Sequence, residues 1–123
     1  MHRCIVSIGS NREAHIHVAT AMGKLKILFP ETIFSTPQLT APIGMQNPAQ
    51  FLNCIAKFAT TMQKEKVILS LKSIETELGR DRIDKENINI DLDLICFDDV
   101  VLKSKDLQYE HVQDGLKELN IEL

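Results

Sequence analysis

The chain contains no tryptophan and no surplus of positive charge: 14 Lys plus Arg stand against 17 Asp plus Glu in 123 residues, a net charge of −3. A broad basic footprint for nucleic acid is thereby excluded, and any phosphate binding has to come from local cations. Cysteine is scarce. Cys4, Cys54 and Cys96 are odd in number and widely spaced. No CxxC pair exists, so a zinc site is not indicated. Each cysteine sits in an apolar, strand-like run and reads as a small buried hydrophobe of a reducing compartment. No apolar run approaches the roughly 18 residues that span a membrane. Met1-His2-Arg3 leads straight into a strand pattern without an apolar signal region. The expectation is a cytoplasmic protein with no membrane or nucleic-acid partner. Neither an internal repeat nor a low-complexity segment is present. The length fits one domain, residues 1–123, able to bury about two-thirds of its unfolded surface.

What is present is an alternation of acid and aliphatic, Ile90-Asp91-Leu92-Asp93-Leu94-Ile95. In a strand, residues two apart share a face. Asp91 and Asp93 therefore stand together, with Ile90, Leu92 and Leu94 on the other side. Two adjacent carboxylates repel and resist desolvation. A divalent cation relieves both costs, and Mg²⁺ favours one or two carboxylates completed by water and substrate phosphates. Gly79-Arg80-Asp81-Arg82, just upstream, adds two permanent cations, so polyphosphate handling is one reading. Spacing alone leaves a second open, a strand edge protected by inward charge.

Along the chain, residues 3–9 read as a strand, with Ser10 and Asn11 as helix N-cap candidates. Ala14, Val18, Ala21, Met22, Leu25 and Leu28 have helical spacing, and Pro30 stops that helix. Residues 32–35 are a short β-branched strand. Residues 36–48, with Pro37, Pro42, Gly44 and Pro48, form the longest loop, a common place for function. From 51 to 59 the chain alternates, with Leu52, Cys54, Ala56 and Phe58 on one face and Phe51, Asn53, Ile55 and Lys57 on the other. Val67, Leu71, Ile74 and Leu78 make the stripe of a second helix, ended by Gly79. The acid-bearing strand follows at 89–97, and residues from about 104 form a weakly patterned tail. This order, β-α-β-β-α-β, predicts an α+β ferredoxin-like fold: a four-stranded antiparallel sheet with both helices on one face. Asp91, Asp93, Phe51 and Asn53 then share the open face.

Four stretches, in order, resemble the hydroxymethyl-dihydropterin pyrophosphokinases of folate biosynthesis over about residues 3–112. They are Ile8-Gly9-Ser10-Asn11; Pro42-Ile43-Gly44 with Phe51-Leu52-Asn53; Ile74-Glu75 with Gly79-Arg80-Asp81-Arg82; and Ile90-Asp91-Leu92-Asp93. The resemblance implies the ferredoxin-like fold and transfer of a pyrophosphoryl group from ATP to the pterin hydroxymethyl group, with two Mg²⁺. It further implies that Asp91 and Asp93 hold the metal, that Asn53 reads the pterin and Phe51 stacks on it, and that Pro42, Ile43 and Gly44 complete the pterin pocket. Arg82 would contact the transferring phosphates, Arg80 would anchor its loop, and His111 would contact ATP. Glu75 reads as orienting Arg80 or its loop. Lys64, Lys66, Lys72, Lys103 and Lys105 read as solvated charges.

The chain departs from the family in the loop from Arg82 to Asp91. It is about two residues short, and Ile88 stands where a second arginine is expected. Val112 replaces the tyrosine that follows the family histidine, and Leu123 precedes the family's C-terminal basic and aromatic residues. These departures predict slower transfer than in longer members. They keep two rival readings alive: a non-catalytic descendant that binds nucleotide or pterin, and a ferredoxin-like interaction module.

Overall fold

The computed structural model describes residues 1–123. Strand β1 (His2–Ser10) is followed by helix α1 (Ala14–Leu28), short strands β2 (Ile33–Phe34) and β3 (Gln38–Thr40), and the long strand β4 (Phe51–Thr60). Helix α2 (Lys64–Glu77), strand β5 (Asp91–Phe97), short strand β6 (Val100–Val101) and helix α3 (Glu110–Glu118) complete the chain. The sheet order is β2-β4-β1-β5-β6, with β3 also on β4, and every pairing is antiparallel. That is the ferredoxin-like arrangement, with α1 and α2 on one face of the sheet and α3 on part of the other. No helix is long and apolar enough to cross a membrane.

Alternation along the strands divides the core in two. Val6, Ile8, Leu52, Cys54, Ala56, Leu92 and Leu94 pack under α1 and α2, against Val18, Leu25, Val67, Leu71 and Ile74. Ile5, Ile55 and Ile95 face the opposite way. A bulge lies in β5: Ile5 pairs with Cys96 but Val6 with Leu94, so Ile95 is the extra residue. Upstream of the bulge, Asp91 and Asp93 point away from the helix-covered core, on the face expected from the alternation.

Three expectations need correction. The sheet has six strands, not four, because β3 and β6 each add a short piece to an edge. The weakly patterned tail folds onto the sheet: its Val112, Leu116 and Ile121 cover Ile5, Ile55 and Ile95 as a second core. The stripe is hard to see because only Val112, Gly115 and Leu116 are buried in a helix of nine residues. Gly115 permits the close crossing, since a Cβ there would lie 2.5 Å from Ile55 Cγ1. Finally, Ser10 and Asn11 do not cap α1, which starts after Glu13 in a left-handed conformation (φ 45°) and has no side-chain cap. Their side chains go elsewhere, to the loop before β5.

Candidate active site: a carboxylate between two cavities

Pairing places the important side chains in rows across the sheet. Gly9 of β1 lies between Asn53 of β4 and Asp91 of β5, and Ser7 lies between Ile55 and Asp93. With strands about 4.8 Å apart, Asn53 and Asp91 are separated by roughly 10 Å of sheet. Between them the floor is bare, because Gly9 has no side chain. A Cβ there would sit 3.0 Å from Asn53 Oδ1 and 3.8 Å from Phe51 Cδ1. α3 covers the Ile5–Ile55–Ile95 end of this face and leaves the Gly9 end open. The result is a cleft of about 270 Å³.

Phe51, Asn53, Asp91, Asp93 and His111 all line this cleft, as does Ile43 from the long loop. Pro42 and Gly44 flank Ile43 but do not themselves form the wall. Asn53 donates through Nδ2 to Thr40 Oγ1 at 2.6 Å. Its Oδ1 faces the glycine floor. Phe51 and Asn53 are both only half-buried. Asp106 and Tyr109 also line the cleft. Sequence reading missed both, because they precede a helix whose apolar stripe was too short to register.

The two carboxylates interact. Burial, and then the charge of Asp91, push Asp93 up to about 7; Lys103 opposes the rise and Asp106 adds to it. An aspartate held in this way wants a proton or a cation beside it. Asp91 and Asp93 thus fit a Mg²⁺ site, in which water and phosphate oxygens would supply the remaining ligands. Burial lowers the pKa of His111, against the opposing charges of Asp106 and Asp114.

Arg80 and Arg82 approach from the α2 side and do not line the cleft. Arg80 Nη1 donates to Ile90 O at 3.0 Å and to Asp91 Oδ1 at 3.2 Å. Arg82 Nη2 lies 2.6 Å from Glu75 Oε1. Glu75 is 2% exposed, and its Oε2 accepts the Leu92 amide at 2.7 Å. Glu75 therefore joins α2, the edge of β5 and the arginine loop, close to the orienting part expected of it.

Ser10 and Asn11 secure the rest of that loop. Asn11 donates through Nδ2 to Glu86 O at 2.8 Å and accepts the Ile88 amide at 2.7 Å. The Asn11 amide donates to Ile88 O at 3.0 Å. Asn47 donates to Glu86 as well, through its amide to Oε1 at 2.6 Å and through Nδ2 to the carbonyl at 2.9 Å. Ile88, where an arginine was expected, serves as a backbone anchor between β1 and the loop.

A second cavity, about 380 Å³, lies on the other side of Asp93. β6 pairs only with Cys96 and Phe97, so the start of β5 is left without an outer strand. Leu71, Leu92 and Leu94 give this groove an apolar floor, and Lys64, Lys72 and Lys103 rim it. Lysines that looked like isolated surface charges are gathered here by the crossing of α2 and β5. Asp93 borders both cavities.

Residues 5–120 match the family model described as 7,8-dihydro-6-hydroxymethylpterin-pyrophosphokinase. The chain is 29% identical over 108 residues to the 2-amino-4-hydroxy-6-hydroxymethyldihydropteridine pyrophosphokinase of Aquifex aeolicus, covering 86% of this chain and 68% of that protein. The Bacillus subtilis protein of the same name is 28% identical over 110 residues, covering 86% and 66%. The folic acid synthesis protein fol1 of Schizosaccharomyces pombe is 31% identical over 117 residues, covering 92% of this chain and 16% of that much longer protein. The matched region thus spans about two-thirds of each bacterial relative. By the extent of the family match, the chain is a member of the 7,8-dihydro-6-hydroxymethylpterin-pyrophosphokinase family.

Proposed function

We propose that this chain transfers a pyrophosphoryl group from ATP to the hydroxymethyl group of 6-hydroxymethyl-7,8-dihydropterin, a step of folate biosynthesis. The observation that carries the reading is the position of Asp93 between an aromatic- and amide-lined cleft and a lysine-rimmed groove. A two-substrate transfer needs such a junction. The pterin lies over Gly9, its ring edge read by Asn53 and its face against Phe51, with Pro42, Ile43 and Gly44 closing the loop above it. The roughly 10 Å from Asn53 to Asp91 brings the far end of a bicyclic ring, with its hydroxymethyl group, to the carboxylates. The nucleotide lies in the second groove, with its base on the leucine floor and its phosphates toward Lys103 and the carboxylates.

Asp91 and Asp93 would hold Mg²⁺, two ions by family resemblance. Bound there, the metal supplies charge neutralisation and a fixed geometry for the phosphates. The chain's own residues do the rest. Arg80 holds Asp91 in place from behind, and Arg82, half-exposed beside Glu75, is the cation that family resemblance assigns to the transferring phosphates. His111 contributes to the cleft wall an imidazole whose basicity burial lowers. The hydroxymethyl oxygen attacks the β-phosphorus, the bond from that phosphorus to the α-phosphate oxygen breaks, and AMP leaves. The hydroxyl proton passes to water. In-line transfer of this kind depends on positioning and charge more than on a strong base.

Calorimetry tests the reading. MgATP and a 6-hydroxymethylpterin are each titrated into the parent and into Asp91→Asn and Asp93→Asn. The parent binds both, and the variants lose MgATP while keeping their fold. Equal MgATP binding by parent and variants would make the aspartates structural and remove the basis of the proposal.

A further inference from the structure

Helix α1 carries more apolar residues than its seat on the sheet uses. Val18, Ala21 and Leu25 are its buried side. On the opposite side, Ile16, Ala19, Thr20, Gly23 and Ile27 are all exposed, Ile16 at 66% and Ile27 at 81%. Spacings of three and four residues put them in one stripe. A surface helix normally carries charge on that side, and a helix apolar on both sides is normally covered on both. Here the stripe holds no charge. Lys24 leans away from it, donating to Glu77 of α2 at 2.7 Å.

Gly23 adds to this pattern. A glycine inside a helix costs about 0.5–1 kcal/mol relative to alanine. Nothing within the chain requires it, since an added Cβ would meet no atom within 4 Å. Its bare backbone serves only something that approaches from outside.

The stripe is symmetric about its centre. Isoleucine stands at each end and small residues stand between, with Ile16, Thr20, Gly23 and Ile27 spaced four, three and four apart. When two identical helices pair about a twofold axis, residue i meets j and j meets i. In an antiparallel pair Ile16 meets Ile27 of the other copy, and Thr20 meets Gly23. The charges beyond the stripe are complementary in the same register. Arg12 stands four residues before Ile16, and Glu31 four after Ile27. Both are exposed, and neither takes part in an ion pair within the chain. The twofold brings Arg12 of each copy to Glu31 of the other. A parallel pairing would set like charges together.

We propose that the outer face of α1 is a docking surface for a second copy of this chain, in an antiparallel helix pair closed at both ends by Arg12–Glu31 ion pairs. α1 lies on the side of the sheet opposite the cleft of Asn53 and Asp91, so both clefts of the pair stay open. One face of a helix of 15 residues, about 22 Å long, is small for an interface, and the association is weak and reversible.

Sedimentation velocity over a concentration series tests the inference. The mass of the parent should rise toward twice the monomer value between about 1 μM and about 1 mM, the range of weak association. Gly23→Gln should keep the monomer mass throughout. That variant retains its fold, because it gains helix propensity and its side chain enters open space. Arg12→Glu should weaken the dimer severalfold, and Arg12→Glu combined with Glu31→Arg should restore it. A parent that stays monomeric at 1 mM, a Gly23→Gln variant that dimerises as the parent does, or a double variant no tighter than Arg12→Glu would overturn the inference.

Discussion

A carboxylate crowded by burial and by a second carboxylate keeps its proton to higher pH. Asp93 does so up to about 7, whereas an unfolded aspartate titrates near 3.9. Between those values the folded chain holds a proton that the unfolded chain has released. Stability of the metal-free protein therefore falls as pH rises through that window, and the loss is complete above it. Asp93→Asn removes the titration. Thermal melts between pH 4 and 8 should show the parent losing stability relative to the variant as pH rises, with the variant melting higher at the alkaline end. Equal slopes would contradict the crowding of Asp93. Gly9 provides a second test at this scale. Gly9→Ala puts a methyl group 3.0 Å from Asn53 Oδ1 and on the floor of the cleft. Pterin affinity should drop by about 1–3 kcal/mol, as when buried ligand groups lose their partners, while Tm changes little. Unchanged affinity would place the ring elsewhere. The facing of Asp91, Asp93, Phe51 and Asn53 was legible because period-two alternation fixes facing without any knowledge of partners. The cleft-lining of Tyr109 was not, because it depends on where a helix lands.

At the scale of elements, one buried side chain links three of them. Glu75 of α2 accepts the Leu92 amide of β5 and pairs with Arg82 of the loop. Arg80 lies 3.9 Å from the same carboxylate. Glu75→Ala should cost about 2–4 kcal/mol in urea denaturation, since it strips a buried amide and two arginines of their partner at once. Glu75→Gln retains an acceptor for Leu92 and should cost less. Equal costs would show that the ion pairs, not the amide, dominate. The helix stripes of α1 and α2 were legible from their repeats of Val, Leu and Ile. The arginines were legible as a motif, but their orientation toward Glu75 was not. That depends on the turn after α2, where Gly79 takes φ 82°. Ser10 and Asn11 were misread as caps for a related reason. Their side chains bond residues 86 and 88, far along the chain, and local rules see only the adjacent helix.

The whole molecule is a ferredoxin-like sheet with one face under two helices and the other half-closed by a third. The open half is the cleft, so the third helix bears on function as well as stability. Leu116→Ala, in the core under α3, should cost about 2–5 kcal/mol and also weaken pterin binding, because α3 carries a wall of the cleft. Leu25→Ala, in the core under α1, should cost a similar amount and leave pterin affinity alone. Titration of both variants under conditions where each is folded separates the two faces. A pterin loss of the same size in both would mean that α3 has no special part. The β-α-β-β-α-β order was readable from the sequence, since each element has its own periodicity. The edge strands β3 and β6, of three and two residues, are too short to carry any. The lysine-rimmed groove was invisible, because it gathers Lys64, Lys72 and Lys103 from elements distant in sequence.

The central claim is that Asp91 and Asp93 join a nucleotide groove to a pterin cleft for transfer of a pyrophosphoryl group. Product analysis tests it most directly. The protein is incubated with ATP, Mg²⁺ and 6-hydroxymethyl-7,8-dihydropterin, and the nucleotide and pterin products are separated and quantified. The account predicts AMP and the pterin diphosphate in equal amounts, both absent without Mg²⁺ and both lost in Asp93→Asn. Formation of ADP with a pterin monophosphate, or undiminished turnover in Asp93→Asn, would contradict it.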